Sequence, residues 1–126
     1  MNSPEGLCLA IVGWRQFTDQ SLFDEVLAEF VCTYGMPVRV ISGGARGADT
    51  LAERWARKHR IKLIILKPAW RNARGQYNRR AGLERNSDIV AGCTHLVAFP
   101  SENGSGTQDS IGKARERGKV VVVKWV

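Results

Sequence analysis

The chain lacks the segments that identify membrane and secreted proteins. None of its apolar runs approaches the roughly 20 consecutive residues that a membrane-spanning helix needs. The first residues, Met1–Gly6, do not contain the basic segment that opens a secretory signal peptide. We therefore expect a cytoplasmic protein that does not associate with a membrane.

Cysteine and histidine are scarce. The three cysteines, Cys8, Cys32 and Cys93, lie far apart in apolar surroundings, and the two histidines, His59 and His95, are also well separated. An odd number of scattered cysteines does not build a disulfide framework, and a zinc site needs clustered ligands. We expect three small, buried cysteine side chains in a reducing compartment and no metal site.

Acidic residues are nearly missing from one stretch of the chain. Residues 54–85 contain eleven Lys or Arg and a single acid, Glu84, so this stretch sums to +10 while the whole chain sums to +7. A concentration of this kind is typical of a solvated basic surface or of a site for a polyanionic ligand, either a nucleotide or a nucleic acid. Charge alone leaves both interpretations open.

The chain does contain a regular alternation of apolar segments and helical patterns. Its 126 residues are enough for one domain, 1–126, with a core of its own. Continuously apolar segments predict strands buried on both faces, and there are five of them: Leu7–Val12, Val38–Ile41, Ile61–Leu66, His95–Phe99 and Lys119–Trp125. The alternation predicts a single Rossmann-like, three-layer α/β domain with a parallel five-stranded sheet.

Four helices are predicted between these strands. The first has an apolar stripe from Leu22 to Val31, with Thr18 or Asp19 as its N-cap and Gly35 at its end. The second begins at Ala48. The third lies within residues 80–92 and the fourth within residues 107–117.

The most informative segment is Ser42–Asp49, with the sequence Ser-Gly-Gly-Ala-Arg-Gly-Ala-Asp, which follows the second strand. A strand, a glycine turn and a helix in succession are typical of anion sites, because glycine amides and a helix N-terminus point positive groups at one place. The residues that we predict to cradle a phosphate are Gly43, Gly44, Arg46 and Gly47. Asp49 is expected either to bind a ribose hydroxyl or to cap the helix.

Two further loops are predicted at the same edge of the sheet. Gly13–Asp19 follows the first strand and Ser101–Thr107 follows the fourth, and such sheets bind ligands outside the carboxyl ends of their strands. From these loops we expect ligand contacts by Gly13, Arg15, Gly104, Gly106 and Thr107. For Thr107 an alternative is that its hydroxyl only caps the fourth helix.

The third helix and the loop before it supply the last candidates. Arg85 and Asn86 place a guanidinium next to an amide, a pair that suits the recognition of a phosphate or a ribose. The alternative is that Arg85 is a surface arginine and that Asn86 caps a helix. Trp70 and Tyr77 lie in the basic stretch. They are expected either to stack on a base or to cover an edge of the core.

Taken in order, these motifs resemble the YspA-type branch of the SLOG superfamily, which also includes the DprA DNA-processing proteins and the LOG phosphoribohydrolases. The matching segments are Gly13-x-Arg15-x-Phe17-x-Asp19, Ser42–Asp49, Ala69-Trp70, Arg85-Asn86 and Gly104–Thr107. The resemblance extends over nearly the whole chain. It implies a Rossmannoid fold with a pocket for nucleotides or nucleotide-derived molecules.

The resemblance also bears on catalysis. LOG enzymes have a glutamate three residues after the threonine of their Gly-x-Gly-Thr motif, where it assists cleavage of an N-glycosidic bond; this chain has Ser110 there. The adjacent Asp109 is turned away by about 100 degrees on a helix. A phosphoribohydrolase is therefore the alternative function, with Asp19, Asp49 or Asp109 supplying the carboxylate.

The sequence thus predicts a protein that binds a nucleotide or a nucleotide-derived small molecule and needs no other cofactor. A second alternative is the binding of single-stranded nucleic acid through residues 54–85, with Trp70 and Tyr77 as stacking groups. We also expect a homodimer, because a small sheet can bury an edge or a helix face against a second copy.

Overall fold

The computed structural model describes residues 6–126 and contains a five-stranded parallel sheet. Its elements, in chain order, are β1 Cys8–Gly13, α1 Gln20–Tyr34, β2 Arg39–Ser42, α2 Ala48–Lys58, β3 Lys62–Ile65, α3 Ala81–Gly92, β4 His95–Phe99, α4 Gly106–Glu116 and β5 Val120–Val123. The strands lie in the order β3-β2-β1-β4-β5, and every neighbouring pair is parallel. The predicted Rossmann-like α/β fold is confirmed.

The first helix begins and ends where its sequence signals predict. Of the two candidate caps, Asp19 is the N-cap, and its carboxylate accepts a hydrogen bond from the amide of Leu22 at 3.0 Å. At the other end, the amide of Gly35 donates to the carbonyl of Val31 at 2.8 Å. The first loop is therefore held between β1 and a firmly capped helix.

Two hydrophobic cores cover the two faces of the sheet. One core packs α1 and α2 against the sheet through side chains such as Phe23, Leu27 and Trp55. The other packs α3 and α4 through Ile89 and Ile111. The helices thus form two layers, one on each face of the sheet.

Burial departs from expectation at the edges of the sheet. The predicted burial of both faces is wrong for β3 and β5, whose residues are partly or fully exposed, because each edge strand has a neighbour on one side only. Cys32 is also exposed, while Cys8 and Cys93 are 1% and 2% exposed. Cys32 directly follows the apolar stripe of α1, so its side chain is rotated out of the core by about 100 degrees.

The strand order creates a crevice beside β1. The chain leaves β1 toward β2 through α1 on one face, whereas β4, on the other side of β1, continues into α4 on the opposite face. The loops after β1 and β4 therefore diverge at the carboxyl edge, which is where sheets of this kind bind ligands. Within residues 6–126, no helix is long and apolar enough to cross a membrane.

Candidate functional site

The crevice contains a cavity of about 470 Å³, which we call the first cavity. Residues from the loops after β1, β2 and β4 line it together with the start of α4 and one face of α3. Of the twelve predicted ligand contacts, the first cavity brings together Gly13, Arg15, Gly43, Asp49, Arg85, Asn86, Gly104, Gly106 and Thr107. The structure thus places most of the predicted site on one surface.

A second cavity of about 780 Å³ lies beside the first and contains two more of the predicted residues, Gly44 and Arg46. Five residues line both cavities, namely Arg15, Gln16, Gly43, Ala45 and Arg85; we call them the shared wall. Beyond that wall the second cavity is bordered by Lys67 and Trp70. The two cavities therefore form one continuous surface on both sides of the glycine turn.

Gly47 is the predicted contact that lines neither cavity. Its φ of +70° and ψ of −122° are accessible to glycine alone, and a Cβ would lie 2.4 Å from the carbonyl oxygens of Trp14 and Arg15. The same Trp14 carbonyl accepts a hydrogen bond from the amide of Ala48. Gly47 therefore lets the first loop pack directly on the glycine turn.

Side chains within the turn hold its shape. The carboxylate of Asp49 accepts a hydrogen bond from the amide of Ala45 at 3.0 Å, and the hydroxyl of Ser42 accepts one from the amide of Gly44 at 3.2 Å. These bonds fold the turn back over the start of α2. Asp49 thus bonds to the turn before the helix and not to the amides of the helix itself.

Asp49 is also the buried acid of the site. Its exposed fraction is 6%, and burial raises its pKa to about 6 against the opposing effects of the Ala45 amide and the Arg85 guanidinium. A carboxyl group with this pKa exists in both protonation states near neutral pH. It can accept a hydrogen bond in either state, as the recognition of a sugar hydroxyl requires.

Arg85 and Asn86 connect the glycine turn to α4. The Arg85 guanidinium donates to the Gly43 carbonyl at 2.7 Å and to the Asn86 side-chain oxygen at 3.1 Å. Asn86 in turn donates to the Gly106 carbonyl at 3.3 Å and to the Asp109 carboxylate at 3.1 Å. The alternative of a surface arginine and a capping asparagine is therefore wrong: Asn86 is buried and the N-cap of α3 is Arg80.

The N-terminus of α4 points into the first cavity without a side-chain cap. Its N-cap is Ser105, which makes no capping hydrogen bond, and the alternative of Thr107 as the cap is wrong because Thr107 lies within the helix. The amides of the first turn and the Thr107 hydroxyl are then available to an anion. One turn further along, Ser110 is 1% exposed and also lines the cavity.

Only one of the three carboxylates named for hydrolysis lines the first cavity. Asp19 caps α1, and Asp109 accepts hydrogen bonds from Asn86 and, at 2.8 Å, from Lys113. Asp49 is the remaining carboxylate and lies in the cavity wall. A hydrolytic mechanism in this cavity would therefore depend on Asp49.

Trp70 and Tyr77 stack on each other rather than on the core. Their ring centroids lie 6.1 Å apart with planes 6° apart, and the two side chains are 41% and 59% exposed. The loop that carries them is ordered by a bridge between Arg71 and Tyr77 and by a 2.7 Å hydrogen bond from the Asn78 amide to the Trp70 carbonyl. Trp70 alone of the pair lines a cavity.

Lys67 is a cavity residue that the sequence patterns did not single out. It directly follows the predicted third strand, so the rule that gathers loops at the carboxyl edge would have found it. The missing signal was glycine: the loop after β3 has none near the strand end, whereas the other three loops do.

The fold and the site define a class of protein: a Rossmann-like α/β protein with a basic, glycine-lined cleft at the carboxyl edge of its sheet. A model of the YspA, cpYpsA-related SLOG family matches residues 8–72, about half of the chain. The chain is also 32% identical over 114 residues to the Gene 61 protein of Mycobacterium phage D29, a match that covers 89% of this chain and 91% of that protein. The chain belongs to the YspA, cpYpsA-related SLOG family.

Solved structures share the fold. DNA processing protein A (DprA) from Streptococcus pneumoniae superposes with a TM-score of 0.73 at 17% identity, and its match covers 94% of this chain and 50% of that one. DprA from Helicobacter pylori, whose structure shows a single-stranded DNA binding mode, superposes with a TM-score of 0.71 at 20% identity. That match covers 94% of this chain and 65% of the DprA chain. The chain thus spans between half and two thirds of these proteins.

Proposed function

We propose that this protein binds a nucleotide or a nucleotide-derived small molecule at the first cavity, with a phosphate between the glycine turn and the start of α4. The observation that supports this most directly is the convergence on one cavity of the uncapped α4 N-terminus and two arginines, Arg15 and Arg85. A helix N-terminus, glycine amides and guanidinium groups each favour a phosphate, and here they surround the same space.

The remaining polar groups of the first cavity suit the sugar of a nucleotide. Asp49, Asn86 and Thr107 offer hydrogen-bond acceptors and donors along one wall. Asn86 is held in place by its bonds to Gly106 and Asp109. A site in which the polar groups are already positioned loses little entropy on binding.

Two glycines of α4 allow a matched test of this site. A Cβ added at Gly106 or at Gly112 would meet no atom within 4 Å, so alanine fits at both positions, but only Gly106 lines the cavity. Each substitution should keep or raise stability, because alanine favours a helix by up to about 1 kcal/mol over glycine. Gly106→Ala should lower nucleotide affinity at least tenfold, and Gly112→Ala should leave it unchanged.

The measurement is isothermal titration of both variants and the natural protein with nucleoside mono- and diphosphates, preceded by native mass spectrometry for a co-purifying nucleotide. Equal binding by all three proteins would place the ligand elsewhere. If no nucleotide co-purifies and none of the panel produces heat, the proposed function is wrong.

A second candidate function is single-stranded nucleic-acid binding, favoured by the exposed Trp70–Tyr77 pair on a loop that carries Arg71 and Arg74. Exposed aromatic rings beside arginines are typical of surfaces on which unpaired bases stack. This function predicts that Arg74→Ala, which lies outside both cavities, weakens binding of a fluorescent single-stranded oligonucleotide and reduces its salt dependence. An affinity that is insensitive to salt, or unchanged by Arg74→Ala, would reject it.

A further inference from the structure

We propose that the second cavity is a second subsite of the same ligand site, and that the ligand is a nucleoside diphosphate joined to a sugar. Its diphosphate lies on the shared wall and at the start of α4, its sugar occupies the part of the first cavity beside Asp49, and its base stacks on Trp70. This inference rests on the proposed function and specifies the class of ligand.

The first observation is the difference in charge between the two cavities. The second cavity is lined by four cationic residues, Arg15, Arg46, Lys67 and Arg85, and by no acidic residue. The first contains the buried Asp49. Strongly anionic groups are therefore favoured at and beyond the shared wall, and neutral hydroxyl groups are favoured beside Asp49.

The second observation is the close approach of Arg85 to the glycine turn. A Cβ at Gly43 would lie 2.4 Å from Nη1 of Arg85 and 3.0 Å from the carboxylate of Asp49, so the guanidinium lies directly against the turn. Arg85 lines both cavities, as does Arg15. Two guanidinium groups on one wall match two neighbouring phosphates better than a single one.

The third observation is the fixed orientation of Trp70. A Cβ at Gly82 of α3 would lie 3.5 Å from the outer edge of the Trp70 ring, and Tyr77 stacks parallel to it. The ring is thus supported from two directions while 41% of the side chain stays exposed at the cavity. An aromatic surface that is already oriented binds a planar base at little cost in conformational entropy.

The fourth observation is the Ser110 hydroxyl. It is 1% exposed and lines the first cavity. A hydroxyl at this place can both donate a hydrogen bond to a hydroxyl-rich molecule and accept one from it. A sugar in the first cavity is such a molecule.

A truncation series of ligands tests this arrangement by isothermal titration. ADP-ribose and ADP-glucose fill both subsites, ADP lacks the sugar beyond the diphosphate, and AMP lacks the diphosphate as well. We expect at least one of the two sugar nucleotides to bind about tenfold or more tightly than AMP, with ADP in between. Because all four ligands carry the base, Trp70→Ala should weaken each of them by a similar factor, and Trp70→Phe should restore the affinity.

Trp125→Ala is the matched control, because Trp125 is 55% exposed and lines neither cavity. A second variant, Ser110→Ala, should weaken the sugar nucleotides and leave ADP unchanged. If AMP binds as tightly as both sugar nucleotides, or Trp70→Ala leaves the affinity of every ligand unchanged, the two-subsite arrangement is wrong although nucleotide binding stands. If none of the four ligands binds the natural protein, both proposals fail.

Discussion

The two cavities share a glycine turn and differ in how their other walls are built. The first is closed by long-range hydrogen bonds, from Arg85 to the turn and from Asn86 to α4, so its shape is set by the packing of the fold. Outside the shared wall, the second is bordered by the exposed side chains of Arg46, Lys67 and Trp70. Substitutions at the first cavity should therefore alter stability and binding together, and substitutions at the second should alter binding alone.

The largest effect on stability and binding is expected for Gly47→Ala, because both cavities depend on this residue. Gly47→Ala would place a Cβ against two backbone carbonyl oxygens. It would also put alanine in a backbone conformation that is accessible to glycine alone. We expect the free energy of unfolding to fall by about 3 kcal/mol or more, with loss of binding at both cavities. Chemical denaturation monitored by circular dichroism measures the change.

Gly75→Ala is the control for this substitution. Gly75 has a similar φ of +77°, but no atom lies within 4 Å of its Cβ position. Only the backbone strain of about 1 kcal/mol should remain. Equal losses in the two variants would mean that the contact between the first loop and the turn contributes little, and that the cavities are formed independently of it.

The buried acid of the first cavity gives the next largest effect. Because the folded state raises the pKa of Asp49 to about 6 from 3.8, the folded protein holds this proton more tightly than the unfolded chain does. Protonated Asp49 therefore adds about 3 kcal/mol to the free energy of unfolding at low pH. This contribution is lost as the pH rises from about 4 to about 6. Asp49→Asn should stabilise the protein at pH 8 and change little at pH 4.

Thermal denaturation of both proteins between pH 4 and pH 8 measures this difference. A constant offset between them across the whole range would show that Asp49 keeps its ordinary pKa. Second-cavity variants such as Lys67→Ala should show no such pH-dependent difference, since the Lys67 side chain is exposed.

Arg85 should affect both cavities, because its guanidinium lies in the shared wall. Arg85→Gln removes a charge-assisted hydrogen bond that is worth about 1.5–3 kcal/mol, so we expect the affinity for AMP and for ADP-glucose to fall together by at least tenfold. Titration calorimetry with the two ligands provides the comparison. A loss confined to one ligand would show that the cavities do not share this residue in function.

The sequence predicts the fold and the contents of the first cavity well, since both follow from local signals. The strand and helix patterns set the carboxyl edge, and the motifs at Ser42–Asp49 and Gly104–Thr107 lie on it. The predicted ligand contacts also include half of the residues that line the second cavity. The sequence does not bring Lys67 and Trp70 together with the glycine turn, because those contacts depend on strand order and on an ordered loop. The close approach of Gly47 to the first loop likewise depends on residues distant in the sequence.

The alternative function, hydrolysis of an N-glycosidic bond, can be tested at the first cavity. Among the described residues that line it, Asp49 is the only carboxylate, and it accepts a hydrogen bond from the Ala45 amide. We expect no release of free base when the protein is incubated with AMP or NAD, measured by chromatography over hours. Release that disappears in Asp49→Asn would instead make Asp49 a catalytic residue.

The smallest expected effect separates the two cavities most directly. Thr107→Val removes one hydroxyl group from the wall of the first cavity, whereas Lys67→Ala removes one exposed charge from the second. We expect Thr107→Val to weaken AMP and ADP-glucose alike by up to about tenfold at any salt concentration. Lys67→Ala should weaken ADP-glucose only a few-fold at low salt, and that loss should vanish at high salt because exposed charges are screened. A salt-independent loss in Lys67→Ala would mean that the second cavity closes around its ligand and is as preorganised as the first.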